Sequence, residues 1–113
     1  MTQKDDRVYL GHMVDMARKA LSFVDGVSRE EFDNNETLRL ALTHLIQIIG
    51  ESARRVSPEF RALYPQIPWK GIVGMRSKVV HDYLNVDDDV VWSTLTDDLP
   101  ALAIELEKIL NAQ

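Results

Sequence analysis

The chain has 113 residues, 45% of them hydrophobic, which suits a single domain over residues 1–113 able to bury roughly two thirds of its unfolded surface. Its 13 basic and 18 acidic residues give a net charge of -5 and a pI near 5.1, a balance that disfavours indiscriminate adhesion to nucleic acid or anionic membrane. There is no cysteine for a disulfide framework or a thiolate zinc site, no apolar signal region in MTQKDDRVYL, and no run approaching a membrane span, so a soluble, cytoplasmic protein is expected.

Residues 5 to 24 place Tyr9, Met13, Met16, Ala17, Ala20, Phe23 and Val24 at helical spacing, with Asp5 and Asp6 where the helix dipole favours negative charge. Gly26 suits a helix stop, and Ser28 with Glu31 reads as a capping box for a short turn ending near Asn34. A second helix should start at Asn35 as cap, with Leu38, Ala41, Leu42, Leu45, Ile49, Ala53 and Val56 as its stripe. Ile46 and Ile48 widen that stripe beyond what one neighbour needs, which points to two partners, a second subunit being one candidate. Gly50 allows close backbone approach, Ser57-Pro58 ends this helix and starts a brief one, and Trp69 should anchor the proline-punctuated connector LYPQIPWKG.

A third helix is expected to carry GMRSKVVHDY, residues 74 to 83. On its helical projection Ile72, Val73, Val79, Val80 and Tyr83 share one arc, Arg76 falls near the centre of that arc, and Ser77 and His81 lie together beside it. A guanidinium in a core stripe must be paired or face a wet cleft. Asp87 reads as the cap of the last helix, with Asp88 and Asp89 in its first turn. Val91, Leu95, Leu99, Leu102, Leu106, Ile109 and Leu110 keep one stripe across Pro100, which predicts a single long helix kinked near residues 96 to 100. The fold class is therefore all-α: an antiparallel four-helix bundle with short extra helices in the connectors.

Arg-x4-His occurs three times, at Arg7/His12, Arg39/His44 and Arg76/His81, so the spacing alone selects nothing. The third pair is set apart by Tyr83 two residues on, the Ser77 hydroxyl one turn before His81, and the apolar arc around Arg76. In these flanks, the run IPWKGIVGMRSKVVHDYLNVDDDVVW at 67 to 92 and IIGESA at 48 to 53 resemble the HEPN superfamily, and within it the HepT-like toxins of minimal nucleotidyltransferase toxin–antitoxin systems. The resemblance covers most of the chain and implies a homodimer that brings two motifs into one cleft. It also implies metal-independent endoribonuclease activity on RNA or tRNA, with no cofactor and no metal site. By position, Arg76 and His81 would be the catalytic pair, and Tyr83 the tyrosine that a cognate nucleotidyltransferase antitoxin adenylylates. The family often has asparagine or another polar residue after the arginine, where this chain has Ser77; Ser77 and Lys78 are accessory candidates.

The chemistry suits these residue types. Metal-free RNA cleavage needs a base for the 2′-hydroxyl proton, an acid for the leaving 5′-oxygen and cationic donors for the phosphorane; imidazole and guanidinium supply them. Blander readings stand beside these. Arg76 can sit in a buried ion pair with Glu51, Tyr83 can be a core aromatic, and Trp69 and Trp92 fit core positions better than stacking platforms. His12 and His44 read as structural, although His44, Gln47 and Glu51 form a polar stripe that would border a dimer cleft. The Asp87–Asp89 run lacks the glycine and glutamate of a calcium loop, so capping is its expected role. The acidic balance favours a rival of another class, a non-catalytic helical module that binds a nucleotide or a nucleotidyltransferase, and a purely structural dimerisation bundle is a third reading.

Overall fold

The computed structural model of the chain describes residues 3–82 and 85–112, with residues 3, 4, 81 and 82 described by their backbone alone. Tyr83 and the side chain of His81 therefore lie outside the described residues. The elements are α1 (Gln3–Val24), α2 (Arg29–Asp33), α3 (Glu36–Arg55), α4 (Pro58–Leu63), α5 (Trp69–Val79), β1 (Val80–Asp82), β2 (Asn85–Val86), α6 (Asp88–Ser93), a π-helical turn (Thr94–Asp98) and α7 (Leu99–Ala112). Four principal helical stretches form an all-α bundle in which α3 packs on α1 and α5, and α1 packs on α7. No helix among the described residues is long and apolar enough to cross a membrane.

The local stop and start signals work as their chemistry requires. Gly26 takes a positive φ of 73°, and the capping box is closed from both sides, with the Glu31 amide donating to Ser28 Oγ at 3.1 Å and the Ser28 amide to Glu31 Oε1 at 3.2 Å. Asn35 Oδ1 accepts from the Leu38 amide at 3.0 Å, and Asp87 Oδ1 accepts from the Val90 amide at 3.1 Å. Beyond capping, Asp88 and Asp89 pair with Arg39 and Arg29, which ties α6 to the α2–α3 corner.

The core is built from Leu10, Met13 and Ala17 of α1, Leu42, Ile46 and Ile49 of α3, Ile72 and Val79 of α5, and Val91, Leu95, Leu99 and Leu106 of the last stretch. On α1 the fully buried arc runs through Leu10, Met13, Ala17 and Ala20; of the expected stripe, Tyr9, Met16 and Val24 are half-buried against the core and Phe23 is 43% exposed. The breadth of the α3 arc is absorbed inside the protomer by α1 on one side and α5 on the other. Trp69 is buried, its indole N–H donating to the Tyr64 carbonyl at 3.0 Å, which pins the connector as expected, while Trp92 is half-buried with its ring 5.0 Å from that of Phe32.

Of two expectations about helix continuity, one is corrected and one holds. The helix carrying Arg76 does not continue to Tyr83: α5 ends at Val79, whose carbonyl accepts from the Asp87 amide at 2.8 Å, and β1 then pairs antiparallel with β2, Val80 opposite Val86 and Asp82 opposite Asn85. Two consecutive β-branched valines favour that extended exit. Across Pro100 the helix runs on from Asp88 to Ala112 as the unbroken stripe requires, and its irregularity is a widened turn over Thr94–Asp98, with the Leu99 amide reaching the Thr94 carbonyl five residues back. The extra residue makes room for a ring that lacks an N–H and clashes with the preceding turn.

Helices α3 and α5 come close together at Gly50. A Cβ there would stand 3.1 Å from the Ile72 carbonyl oxygen and 3.7 Å from Arg76 Cβ. Valine at Gly50 is expected to force the two helices apart, costing about 1–3 kcal/mol as overpacking does. Its melting temperature should fall clearly below that of the parent, and an unchanged melt would show that the contact has slack.

Candidate active site

Arg76 begins inside the bundle and ends outside it. Its Cβ stands near Gly50 at the α3–α5 seam, and its side chain reaches the surface. The guanidinium is 62% exposed and donates from Nη1 to Glu51 Oε2 at 3.3 Å. The projection that puts Arg76 near the middle of a core arc is thus right for its Cβ and wrong for its charge. The carboxylate partner, Glu51, is the one the sequence offers, but the pair is open to solvent rather than sealed. That removes the observation a purely structural reading would need.

Glu51 is the centre of a larger cluster. Arg54 donates to it twice, Nη2 to Oε1 at 2.7 Å and Nε to Oε2 at 3.1 Å, and Arg55 donates from Nε to Oε1 at 3.3 Å. The spacing Glu51-x-x-Arg54-Arg55 puts both guanidiniums within one turn of the carboxylate, in the favourable acid-before-base order. Sequence reasoning missed this pairing although the spacing displays it. Arg54 first, then Arg55, hold the Glu51 carboxyl down at about 2. Arg55 and Arg76 each hold Glu51 by one bond of 3.3 Å, and Arg76 is the most exposed of the three arginines.

A depressed carboxyl stabilises the fold above its unfolded value near 4.5, and that contribution fades as pH falls toward 2. The gap in melting temperature between the parent and Glu51→Gln is therefore expected to shrink between pH 5 and pH 2. A gap that stays constant would mean the carboxylate is not held by these arginines.

The other candidates scatter. The backbone of His81 lies in β1, and Tyr83 lies outside the described residues. Ser77 is exposed beside Arg76. Lys78 points to another face of α5, onto a hollow of about 700 Å³ between α5 and the α6–α7 stretch. Asp97, Asp98 and Glu105 line that hollow, so its charge repels phosphate despite its size. His12 is exposed, its ring edge-on to Tyr9 at 6.1 Å, and His44 is exposed on α3, on the same helix as Gln47 and Glu51. Among the described residues no three His, Cys, Asp or Glu side chains gather as a metal-ligand set.

Comparison with known proteins finds relatives along nearly the whole chain. The family model described as "Ribonuclease HepT-like" matches residues 13–109. "Putative RNase TTE0752" of Caldanaerobacter subterraneus is 33% identical over 110 residues, 97% of this chain and 98% of the relative. "Putative RNase MJ1380" of Methanocaldococcus jannaschii is 31% identical over 107 residues, 95% of this chain and 98% of the relative. "Probable ribonuclease HepT" of Thermococcus cleftensis is 29% identical over 107 residues, 95% and 97% of the two chains. No solved structure matches the chain to a significant degree.

Proposed function

The chain belongs to the HepT-like ribonuclease family, and from that premise we propose that it is an endoribonuclease cutting RNA without a metal ion, with Arg76 and His81 as its catalytic pair. The observation that carries the reading is Arg76 itself, an exposed guanidinium at the α3–α5 seam held by one long bond to the half-buried Glu51 carboxylate. Held by one long bond, this arginine can release Glu51 and offer two parallel N–H groups to a phosphate.

The proposed reaction is transesterification. A base takes the proton of the 2′-hydroxyl, the 2′-oxygen bonds to phosphorus, and the bond to the 5′-oxygen breaks as an acid protonates it. The products are a 2′,3′-cyclic phosphate and a 5′-hydroxyl. An imidazole with an ordinary pKa near 6.5 can fill either proton role, and a homodimer with two motifs facing one groove would supply both at once. Arg76 would neutralise the charge that grows on the phosphorane oxygens.

The regulatory part of the proposal is a toxin–antitoxin pairing, with a nucleotidyltransferase transferring AMP to Tyr83. Two residues from His81 in sequence, an added phosphodiester would place negative charge where substrate phosphate must come.

Purified protein is expected to cut single-stranded RNA or tRNA in excess EDTA. The net charge of -5 favours the rival reading, a silent module that binds a nucleotide or a nucleotidyltransferase. Binding of either with varied RNAs left whole would establish that rival instead.

A further inference from the structure

We infer that Arg54 and Arg55 form a phosphate-binding subsite for the RNA strand, one step along α3 from Arg76, which Glu51 holds closed until RNA arrives. The subsite rests on the ribonuclease reading and adds to it a place for the flanking backbone.

Donors outnumber acceptors in this cluster. An ionised carboxylate offers about four lone-pair positions, and each guanidinium carries five N–H donors. Glu51 accepts two bonds from Arg54 and one each from Arg55 and Arg76, so its acceptor capacity is used up. Most donors of the three arginines are left over, and the side chains are 57%, 51% and 62% exposed for Arg54, Arg55 and Arg76. Three positive charges meeting one negative charge attract a further anion, in a molecule whose overall charge is -5.

The surroundings give that anion somewhere to lie. Arg54 and Arg55 line a hollow of about 470 Å³ with Val56, Ser57, Pro58 and Glu59. Glu59 brings an acidic side chain to the α4 side of that hollow, so the strand must pass on the side of the two arginines. Arg61, the next cation along, is spent on the carbonyls of Ala53, Arg54 and Val56 at 2.9–3.1 Å and is structural. On the other side, Arg55 lies 5.9 Å from the ring centre of Tyr9, which is half-buried and brings an aromatic face beside the cation. Two guanidiniums with an aromatic ring beside one of them suit a single strand, whose phosphates take the charge and whose base can stack. The hollow on the α7 side, walled by Asp97, Asp98 and Glu105, has the opposite charge.

The test uses the full chain and a fluorescent 2′-O-methyl oligoribonucleotide, which binds but has no free 2′-hydroxyl to attack. Every phosphate that is no longer held should lower the slope of log affinity against log salt by about 0.7, so the double variant Arg54→Ala/Arg55→Ala is expected to lose about 1.4 from the slope. On cleavable RNA its KM should rise by about 10-fold or more with kcat largely kept. Glu51→Gln, which frees the same guanidiniums without removing them, is expected to bind the probe more tightly, so the two variants move in opposite directions even if one is less stable. Arg18→Ala removes one positive charge on the α1–α7 face and should leave the slope unchanged. Parent-like slope and affinity in the double variant, or no binding of the probe by the parent at low salt, would overturn the subsite. If the parent binds the probe with the expected slope but leaves RNA uncut, the ribonuclease reading fails and the subsite stands on the binding arm alone.

Discussion

Alanine at His81 is expected to lower RNA cleavage by about two to four orders of magnitude, the usual contribution of a positioned acid or base. Alanine at Arg76 is expected to lower it by about two to three orders, the scale seen when a donor to a developing oxyanion is removed. The Arg76 variant should also fold. Its bond to Glu51 is long and reaches solvent, and exposed pairs contribute little to stability. Circular dichroism and the melting temperature should then match the parent while cleavage in EDTA disappears. Arg76→Lys keeps the charge but loses the planar fork, and its rate is expected to fall between those of the parent and Arg76→Ala. Full activity in both alanine variants would remove the assignment, whatever the family.

Alanine at Asp6 is expected to destabilise the fold severely without touching the site. Asp6 is buried, 3% exposed, and accepts two hydrogen bonds from one residue: the Ser57 amide on Oδ1 and the Ser57 hydroxyl on Oδ2, each at 2.7 Å. Ser57 in turn caps α4, its Oγ accepting from the Phe60 amide at 3.2 Å. One carboxylate therefore fixes the start of α4 against α1. Its removal leaves a buried amide and hydroxyl without acceptor, and bonds to a charged group contribute about 1.5–3 kcal/mol each. A loss of about 3 kcal/mol would lower the melting temperature of a chain this size by roughly 10–20 °C. A drop of only a few degrees would mean that water replaces the carboxylate.

Why the sequence reveals some of this and hides the rest follows from range. The caps that can be read from it, Ser28 with Glu31, Asn35 with Leu38, Ser57 with Phe60 and Asp87 with Val90, each close within three residues. The α6–α7 stripe survives Pro100 because the widened turn restores the phase of Val91, Leu95, Leu99 and Leu106. What escapes is decided across the chain. By position Asp6 reads as a dipole partner at a helix start, yet its acceptors serve Ser57, 51 positions away. The end of α5 depends on the Asp87 amide reaching the Val79 carbonyl, and no local pattern shows that. The same distance effect applies at the site. Glu51 is legible as a partner for Arg76, but the exposure of the pair depends on how α3 and α5 pack, close together at Gly50. The cluster with Arg54 and Arg55 is legible at helical spacing and gains meaning only once Arg76 arrives from α5.

The most direct test is to identify the ends left on a single-stranded RNA cut by the purified protein in excess EDTA. Attack by the neighbouring 2′-oxygen predicts a 2′,3′-cyclic phosphate on one fragment and a 5′-hydroxyl on the other. Fragments ending in 3′-hydroxyl and 5′-phosphate, or cutting that begins only when a divalent ion is added back, would contradict it.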